Sequence, residues 1–382
     1  MITRRNLLKR TGGAVLAAAL PPLACAEAAP SAGLTLKAAA AKAGLRFGSS
    51  SDVPVATTSD TYRSLFLEQC ELLAPIMSWS FVAPRRDGAD PASEDPNLRF
   101  GFEHHLAITG AHLLWHERVP SWFGQIADST SAQGAALGHI RAMTDRYRGK
   151  ILSWNVVNEA LQPRDGRPDG LRNSPLLAKL GPDFFDIAFR TARKGDPDAF
   201  LVYNDYGLEM DKPDHEKKRT ALLRLLDRFA EDGTPIDAVG LQSHLALDGA
   251  RFDEKLYRGF LHELASRNLK IIISELDVLD KTVTGDFAAR DQAVADFYAR
   301  FLAVALDETA VVAVVNWGLS DKFTWLTPQT EPSFARPDGK PARPLAFDDA
   351  FAPKPAFDAI RTAFEHAPPR PQTKWNAPPS VK

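Results

Sequence analysis

The stretch Ile271-Ile272-Ile273-Ser274-Glu275 carries the pattern that decides the fold, because a short apolar run is followed at once by polar residues. A strand that is apolar throughout has both faces buried, as in a parallel sheet covered by helices or closed into a barrel. Comparable β-rich runs recur between Leu45 and Asn316, and longer stretches with apolar residues at helical spacing separate them. This alternation predicts repeated strand–helix units and a parallel sheet.

Eight such runs predict an α/β protein with a single (β/α)8 TIM barrel. In this fold the carboxyl ends of the strands meet at one mouth, so polar residues directly after each run are the candidates for chemistry. The predicted strands are Leu45–Phe47, Ala74–Trp79, Ala111–Trp115, Ile151–Val156, Phe200–Tyr203, Ala238–Leu241, Ile271–Ile273 and Val311–Asn316. The predicted helices include Ser131–Tyr147, Phe184–Lys194, His215–Ala230, Phe252–Arg267 and Arg290–Leu306.

The charge balance restricts the class of ligand. The chain has 382 residues, 25% of them charged, and a formal net charge of −2. This composition is typical of a globular protein and argues against a disordered chain. Binding to a nucleic-acid backbone needs a clustered basic surface, which the sequence lacks. We therefore expect an uncharged ligand and no nucleic-acid partner.

The N-terminal residues have the order of an export signal. The basic segment Thr3-Arg4-Arg5-Asn6-Leu7-Leu8-Lys9 precedes a short apolar run over Gly12–Leu20, and Ala24-Cys25-Ala26 supplies a small-x-small cleavage pattern. This arrangement resembles a twin-arginine signal peptide and predicts removal of residues 1–26, with export to the periplasm or the extracellular medium. The apolar run is too short to span a bilayer, so no membrane span is expected after cleavage. Lipid attachment at Cys25 is the second interpretation.

The rest of the chain is predicted to be one catalytic barrel domain over residues 27–365. Residues 366–382 are rich in proline and lack periodicity, which predicts an extended or disordered end. Cys70 is the one cysteine after residue 26, so no intramolecular disulfide can form. We expect a monomer.

Two glutamates, Glu159 and Glu275, directly follow the fourth and seventh predicted strands. These strands lie across the mouth of a closed barrel, so both side chains can point at one bond. Cleavage of a glycosidic bond needs one carboxyl group to protonate the leaving oxygen and a second to attack or stabilise the anomeric carbon. Either glutamate alone is more simply a solvated loop carboxylate. Together, among other polar strand ends, they favour glycosidic chemistry.

Longer motifs surround both glutamates: Trp154-Asn155-Val156-Val157-Asn158-Glu159-Ala160-Leu161 and Ile273-Ser274-Glu275-Leu276-Asp277. With them, the chain resembles the glycoside hydrolase family ten endo-β-1,4-xylanases, which are retaining (β/α)8 barrels. The resemblance covers nearly the whole chain after residue 26. Further matching segments are Trp115-His116, Pro120-Ser121-Trp122, Tyr203-Asn204-Asp205-Tyr206, Gly240-Leu241-Gln242-Ser243-His244, Trp317-Gly318 with Asp321 and Trp325, Pro344-Leu345-Ala346-Phe347-Asp348 and Pro353-Lys354-Pro355-Ala356.

The resemblance implies that Glu159 is the general acid/base and Glu275 the nucleophile of a retaining mechanism. His244 would contact Glu275, and Asp277 would orient the imidazole ring. Gln242 would help to hold the carboxylate of Glu275. These roles place a supporting polar group beside the nucleophile.

Other implied roles concern the sugar. Asn158 would hydrogen-bond the 2-hydroxyl of the sugar at the cleavage point. Trp115 would pack near Glu159, where an apolar contact raises a carboxyl pKa. Trp317 and Trp325 would form the hydrophobic walls of the sugar site. The remaining substrate-binding or supporting residues implied by the resemblance are His116, Asn204 and Tyr206.

No cofactor and no metal are expected. Several histidines occur at positions 104, 105, 112 and 116, which raises the question of a metal cluster. They lack acidic or cysteine partners at a recognisable zinc spacing. The chemistry is therefore assigned to the carboxyl groups.

Two segments depart from the family pattern. The family's second strand ends in a Glu-Asn-Glu-(apolar)-Lys segment that grips the sugars on the non-reducing side of the cut, whereas this chain has Pro75-Ile76-Met77-Ser78-Trp79-Ser80-Phe81. The family's third strand reads Gly-His-Thr-Leu-x-Trp-His, whereas this chain has Gly110-Ala111-His112-Leu113-Leu114-Trp115-His116. A one-residue shift turns a strand side chain to the opposite face, so His112 is expected to point away from the sugar unless the register also slips.

The sequence therefore predicts an endo-β-1,4-xylanase-like hydrolase that acts on a xylan-like polysaccharide or oligosaccharide by double displacement. One alternative is a periplasmic retaining hydrolase of short or decorated β-oligosaccharides, because the contacts on the non-reducing side are altered. Another is a catalytically weak carbohydrate-binding protein on the same fold. Preserved glutamates argue against the second alternative.

Overall fold

The structure, a computed structural model, describes residues 34–50, 55–75, 77–83, 85–86, 96–371 and 375. The predicted signal at residues 1–26, Ile76 and the last residues of the predicted tail lie outside the described residues. The strands are β1 Arg46–Ser50, β2 Leu72–Ala74, β3 Ala107–Ile108, β4 Ala111–Trp115, β5 Ser153–Asn158, β6 Phe200–Asp205, β7 Ala238–Leu241, β8 His244–Ala246, β9 Lys270–Leu279 and β10 Val311–Asn316. The α-helices are α1 Leu36–Lys42, α2 Asp60–Gln69, α3 Trp79–Val82, α4 Pro96–Glu103, α5 Ser129–Arg146, α6 Pro175–Leu180, α7 Phe184–Gly195, α8 Pro213–Asp232, α9 Glu254–Ser266, α10 Phe287–Ala305 and α11 Pro355–His366.

The strands form one parallel barrel. Neighbours in the sheet follow the order β3, β2, β1, β10, β9, β7, β6, β5 and β4, and β8 pairs with β9 beside this path. The two ends of the path, β3 and β4, are separated in the chain only by Thr109 and Gly110, so they act as one interrupted strand. Ile108 at the end of β3 also bridges in parallel to Ile151, just before β5. Merging β3 and β4 leaves eight barrel strands from the nine in the path, and the predicted (β/α)8 barrel is confirmed.

The helices begin where the sequence supplies capping carboxylates. The side chains of Asp128, Asp253 and Asp286 accept hydrogen bonds from backbone N–H groups in the first turns of α5, α9 and α10. A carboxylate at this position satisfies a free donor and complements the positive end of the helix dipole. All three helices lie at predicted amphipathic segments. Among the described residues, no helix has the length and apolar run needed to cross a membrane.

The second strand lies earlier than predicted. Its residues are Leu72–Ala74, and Trp79 begins α3 instead of ending a strand. Pro75 directly follows β2 and has no N–H to donate to a ladder. The buried Trp79 ring stacks on His139 of α5, with 5.0 Å between the ring centroids. A short apolar run does not distinguish a strand from a buried helical turn, which is why the predicted strand Ala74–Trp79 is wrong.

The C-terminal segment contributes to the core. Trp375 is fully buried in a cluster of strand residues that includes Val202, Ile272 and Val312. Its Nε1 donates to the carbonyl oxygen of Val312 at 3.2 Å, and its ring packs on Phe200 at 4.8 Å between centroids. Phe200 begins β6, so this contact lies at the end of the barrel opposite the carboxyl ends of the strands. Trp375 is therefore packed against the barrel, within the segment for which the sequence predicted an extended or disordered end.

Replacing this tryptophan by alanine is expected to destabilise the barrel. Truncation of a buried aromatic side chain leaves a cavity, so Trp375→Ala should lower the free energy of unfolding by about 3–5 kcal/mol. Trp375→Phe keeps much of the ring and should lose less. The measurement is equilibrium unfolding in denaturant, followed by circular dichroism. Equal stability of the wild type and Trp375→Ala would contradict this burial.

Candidate active site

The predicted site residues converge at the carboxyl ends of neighbouring strands. Glu159 directly follows β5, and Glu275 lies within β9. β6 and β7 lie between these strands in the barrel, and they bring Asn204 and Gln242 to the same end. Asn204 donates to Glu275, and Gln242 donates to Glu159. One polar site therefore contains both glutamates.

Donors hold both carboxylate oxygens of Glu159. Oε1 accepts hydrogen bonds from Nε2 of Gln242 at 2.9 Å and from Nδ2 of Asn158 at 3.2 Å. Oε2 accepts from Nε1 of Trp115 at 2.9 Å. The backbone φ of Glu159 is 54°, and its carbonyl oxygen accepts from Nε of Arg172 at 2.7 Å. A left-handed conformation at a non-glycine residue is strained, and such strain concentrates at functional sites.

Burial raises the pKa of Glu159 to about 7. The hydrogen bond from Gln242 opposes this shift, and the negative charges of Asp205 and Glu275 add to it. Trp115 was expected to raise this pKa through an apolar contact. Its indole N–H instead donates a hydrogen bond, which favours the ionised form and lowers the pKa of Glu159. The net effect of the site still keeps a large fraction of this carboxyl group protonated at neutral pH.

Glu275 is bound from two sides. Its Oε1 accepts from Nδ2 of Asn204 at 2.7 Å, and its Oε2 lies 3.3 Å from Nε2 of His244. The glycine at position 240 leaves space for the Asn204 side chain, because a Cβ there would lie only 2.1 Å from the Asn204 Oδ1. That oxygen accepts from the hydroxyl of Ser274 at 2.6 Å, which turns the NH2 group of the amide towards Glu275. The sequence predicted Asn204 as a supporting residue but did not predict its hydrogen bond to Glu275.

His244 bridges two carboxylates. Its Nδ1 lies 3.0 Å from Oδ2 of Asp277, and its Nε2 lies 3.3 Å from Oε2 of Glu275. Burial lowers the pKa of His244, but the charges of Asp277 and Glu275 and the hydrogen bonds to them outweigh burial and raise it well above its ordinary value. The ring is therefore protonated at neutral pH and donates from both nitrogens. Both contacts predicted for His244 are present, and they place a positive charge beside Glu275.

Gln242 contacts a different carboxylate from the predicted one. Its Nε2 donates to Glu159, and its backbone carbonyl accepts from the N–H of Glu275 at 3.0 Å. The φ of 59° at Ser243 turns the chain sharply between Gln242 and His244. Side chains two residues apart on a regular strand share a face, whereas these two are directed at different glutamates.

Two tryptophans lie beside the histidine. Trp325 donates from Nε1 to Oδ2 of Asp277 at 2.7 Å, and its ring centroid is 4.8 Å from that of His244. Trp317 lies edge-on to His244 at 6.2 Å. Both indoles are partly exposed, so their surfaces are available to a ligand. Aromatic surfaces of this kind suit the apolar faces of a sugar ring.

Two cationic side chains lie near Glu159: Arg172, which donates to its carbonyl oxygen, and Lys218, which lies over the ring of Tyr206. Tyr206 accepts from Nη2 of Arg172 at 2.9 Å, and Nζ of Lys218 lies 3.6 Å from the Tyr206 ring centroid. Lys218 also pairs with Asp205 at 2.6 Å. Burial and the charges of Arg172 and Lys218 lower the pKa of His116 to about 4, so its ring is neutral at pH 7. Arg172 and Lys218 were not predicted, because neither directly follows a strand.

His112 lies nearer to the site than its sequence position indicated. The strand is interrupted before it at Gly110, which has a φ of 73°, and His112 then pairs in register with Asn155. Asn155 and Glu275 line the same small cavity inside the barrel. The His112 ring is buried, 5.4 Å from the ring of Trp115. His112 therefore packs against Trp115, whose indole N–H donates to Glu159.

A metal would find few free ligands here. Among the described residues, His116, Glu117 and Glu159 offer ligand atoms within 4.8 Å of one another. Both oxygens of Glu159 already accept hydrogen bonds from protein donors. This arrangement fits a carboxyl group that exchanges a proton better than one that binds a cation.

The site thus combines one carboxyl group whose pKa is about 7 with a second carboxyl group beside a protonated histidine. Two carboxyl groups in different electrostatic environments suit the acid and nucleophile roles of enzymes that cleave glycosidic bonds. The chain belongs to glycosyl hydrolase family 10, because the model of that family matches residues 35–363. It is an endo-xylanase-like glycoside hydrolase.

The similar proteins carry related names. Endo-1,4-beta-xylanase B of Thermotoga neapolitana is 28% identical over 310 residues, which cover 80% of this chain and 84% of that protein. Endo-1,4-beta-xylanase 3 of Hypocrea jecorina is 30% identical over 285 residues, which cover 74% of this chain and 72% of that protein. The crystal structure of xylanase 10B from Thermotoga petrophila RKU-1 in complex with xylobiose has a TM-score of 0.77 and 27% identity, covering 87% of this chain and 98% of that one.

Proposed function

We propose that the protein is a retaining endo-β-1,4-xylanase that cleaves internal linkages of xylan, with Glu159 as general acid/base and Glu275 as nucleophile. The observation that carries this proposal is the pair of environments: burial gives Glu159 a pKa of about 7, and protonated His244 lies against Glu275. A general acid must hold a proton at the working pH, and the pKa of Glu159 keeps a large fraction of it protonated at neutral pH. The xylanase names of the similar proteins support xylan as the substrate.

The first step forms a covalent intermediate. A carboxylate oxygen of Glu275 attacks the anomeric carbon while the bond from that carbon to the leaving oxygen breaks. Glu159 transfers its proton to the leaving oxygen, which departs as a sugar hydroxyl. Asn204 and His244 hold the attacking carboxylate by hydrogen bonds. Asn158 is proposed to bind the 2-hydroxyl of the reacting sugar.

The second step releases the sugar. Glu159, now ionised, takes a proton from a water molecule, and the water oxygen attacks the anomeric carbon. The bond between that carbon and Glu275 breaks, which regenerates the carboxylate. Two inversions at one carbon give net retention of the β configuration.

The remaining predicted residues are proposed to hold the sugars on either side of the cut. Trp317 and Trp325 would form the wall beside the nucleophile, where they lie against His244. Trp115, His116 and Tyr206 would contact the leaving side, because Trp115 donates directly to Glu159 and the others lie beside it. Asp277 would keep His244 oriented towards Glu275.

A second candidate substrate class follows from the segment after β2. The described residues from Met77 to Phe81 contain no charged side chain, and Trp79 in this segment is buried. Sugar hydroxyls are selected by hydrogen bonds, so this side of the site would bind a long chain less firmly. A preference for short or decorated β-oligosaccharides is therefore the alternative.

Product analysis tests the proposal and separates the two substrate classes. The mature protein is incubated with xylan, xylo-oligosaccharides and an aryl β-xyloside, and the products are resolved by chromatography. Release of oligosaccharides of mixed length from xylan is the expected result. Turnover of only the short or aryl substrates would support the alternative class. No turnover of any of them would contradict the proposal.

The proposal also predicts how activity depends on pH. Glu159 must be protonated for the first step, so kcat/KM should fall as the pH rises through about 7, the pKa of this group. The hydrogen bond from Gln242 lowers that pKa. Gln242→Met removes the donor and keeps the side-chain volume, so the basic limb should move to higher pH by about one unit. An unmoved limb in a folded Gln242→Met variant would contradict the role of Glu159.

We also propose the organisation and location of the protein. Residues 1–26 would be a twin-arginine export signal, residues 27–365 the catalytic domain and residues 366–382 a C-terminal segment. The basic and apolar order at the N-terminus supports export to the periplasm or the extracellular medium. A monomer is proposed. Detection of the mature chain in periplasmic and culture fractions, with and without Arg4→Lys and Arg5→Lys, would test the export step.

A further inference from the structure

A buried carboxyl group behind the active site takes no part in the mechanism above. Glu209, in the loop after β6, is 1% exposed. Its Oε1 accepts hydrogen bonds from the backbone N–H of Ser243 at 3.0 Å and from the Ser243 hydroxyl at 3.2 Å. Its Oε2 accepts from the backbone N–H of Leu208 at 2.8 Å. Burying a carboxylate is unfavourable without such donors, so the arrangement points to a specific task.

The task concerns the turn at Ser243. This residue lies between Gln242 and His244, whose side chains are directed at different glutamates. Its φ of 59° is a conformation that a serine rarely adopts without support from its surroundings. The N–H of its peptide is bound by Glu209, and its carbonyl oxygen accepts from the N–H of Asp277 at 3.5 Å. Glu209 therefore holds the residue at which the chain changes direction.

Glu209 itself is fixed by a buried cation. Nη1 of Arg219 donates to the carbonyl oxygen of Leu208 at 2.8 Å and to that of Met210 at 3.1 Å. These are the residues on either side of Glu209, and Arg219 is buried. The carboxyl group thus extends from a backbone that is held in place. A carboxyl group on a backbone held in this way can keep Ser243 in one position.

We propose that Glu209 is a positioning residue for both catalytic glutamates: by holding Ser243, it keeps the side chains on either side of the turn directed at Glu159 and Glu275. The inference rests on the proposed function, because Glu209 acts only through these two groups. A displacement of about 1 Å in a group that orients a catalytic residue can lower the rate about a hundredfold. The effect of Glu209 should therefore be seen in kcat.

The test uses two variants of Glu209 and a matched control. Glu209→Gln keeps the size but replaces one acceptor with a donor, and Glu209→Asp shortens the side chain. Glu231→Gln makes the same chemical change at an exposed position on α8. Thermal unfolding is measured first, and then kcat, KM and the pH profile on a xylo-oligosaccharide. We expect kcat to fall between about tenfold and a hundredfold in the Glu209 variants, with KM changed less than threefold. The control should match the wild type.

The pH profile separates positioning from general support. When the turn loosens, the hydrogen bond from Gln242 weakens, and the pKa of Glu159 should rise. The basic limb of folded Glu209→Gln should therefore move to higher pH, in the same direction as in Gln242→Met. A lowered kcat with an unmoved limb, or an unchanged kcat, would overturn the inference. An inactive wild type, or an active Glu275→Ala variant, would overturn the proposed function instead. If Glu209→Asp does not fold, Glu209→Gln alone carries the test.

Discussion

Replacing Glu275 by alanine is expected to lower kcat on xylan by about 10⁵-fold, because removal of a nucleophile that acts as part of a unit abolishes most of the catalysis. The loss should appear for every substrate, including aryl β-xylosides with good leaving groups. KM should change little, because the carboxylate of Glu275 acts in the transition state rather than in ground-state binding. Initial-rate kinetics on xylo-oligosaccharides measure the effect.

Azide should partly restore the Glu275→Ala variant. The small anion can occupy the space left by the carboxylate and attack the anomeric carbon from the same side, giving a sugar azide with the α configuration. Glu263→Ala, a matched change at an exposed position of α9, should leave the rate unchanged. Wild-type activity in Glu275→Ala would remove the nucleophile from the mechanism. A β-configured azide product would place the azide on the wrong face of the sugar.

Glu159→Gln is expected to lower kcat/KM strongly for substrates with poor leaving groups and only slightly for substrates with good ones. A general acid contributes about 10²–10⁴-fold, so kcat/KM for xylo-oligosaccharides should fall by that factor. A dinitrophenyl β-xylobioside needs little protonation of its leaving oxygen. Its kcat/KM, which reports the first step, should therefore fall by less than about tenfold. Both values come from initial rates measured at the same pH.

The same variant should lose the basic limb of the pH profile. Glutamine keeps the size of Glu159 but has no proton to lose near pH 7, so the residual activity on xylo-oligosaccharides should become flat across that range. The wild type measured in parallel is the control. Equal losses on both substrates, with the limb retained, would assign the acid to another residue.

The periodicity of the sequence was sufficient to predict the barrel. Apolar runs separated by amphipathic segments can be recognised locally, and they predicted eight barrel strands in chain order. The strand ends then indicated Glu159 and Glu275 as one pair. Where the local pattern was ambiguous, the prediction was wrong: the apolar segment at Trp79 reads equally well as a strand or a buried helical turn, and it is helical.

Details that depend on backbone irregularity were not predictable. Gln242 was expected at Glu275 and binds Glu159, and the positive φ of Ser243 lies between it and His244, which contacts Glu275. His112 packs against Trp115 on the third barrel strand, which is interrupted before it. The turn at Ser243 has no local signal such as a glycine, whereas the interruption before His112 lies at Gly110. The burial of Trp375 was not predictable either, because its partner Val312 is far away along the chain.

The stereochemistry of the first product tests the central claim most directly. Proton NMR, recorded within the first minutes of hydrolysis of a xylo-oligosaccharide, shows the anomeric configuration of the new reducing end before it equilibrates. Double displacement through Glu275 predicts the β anomer first, followed by slow conversion to the mixture. Initial formation of the α anomer would show a single displacement by water and would contradict the assignment of Glu275 as the nucleophile.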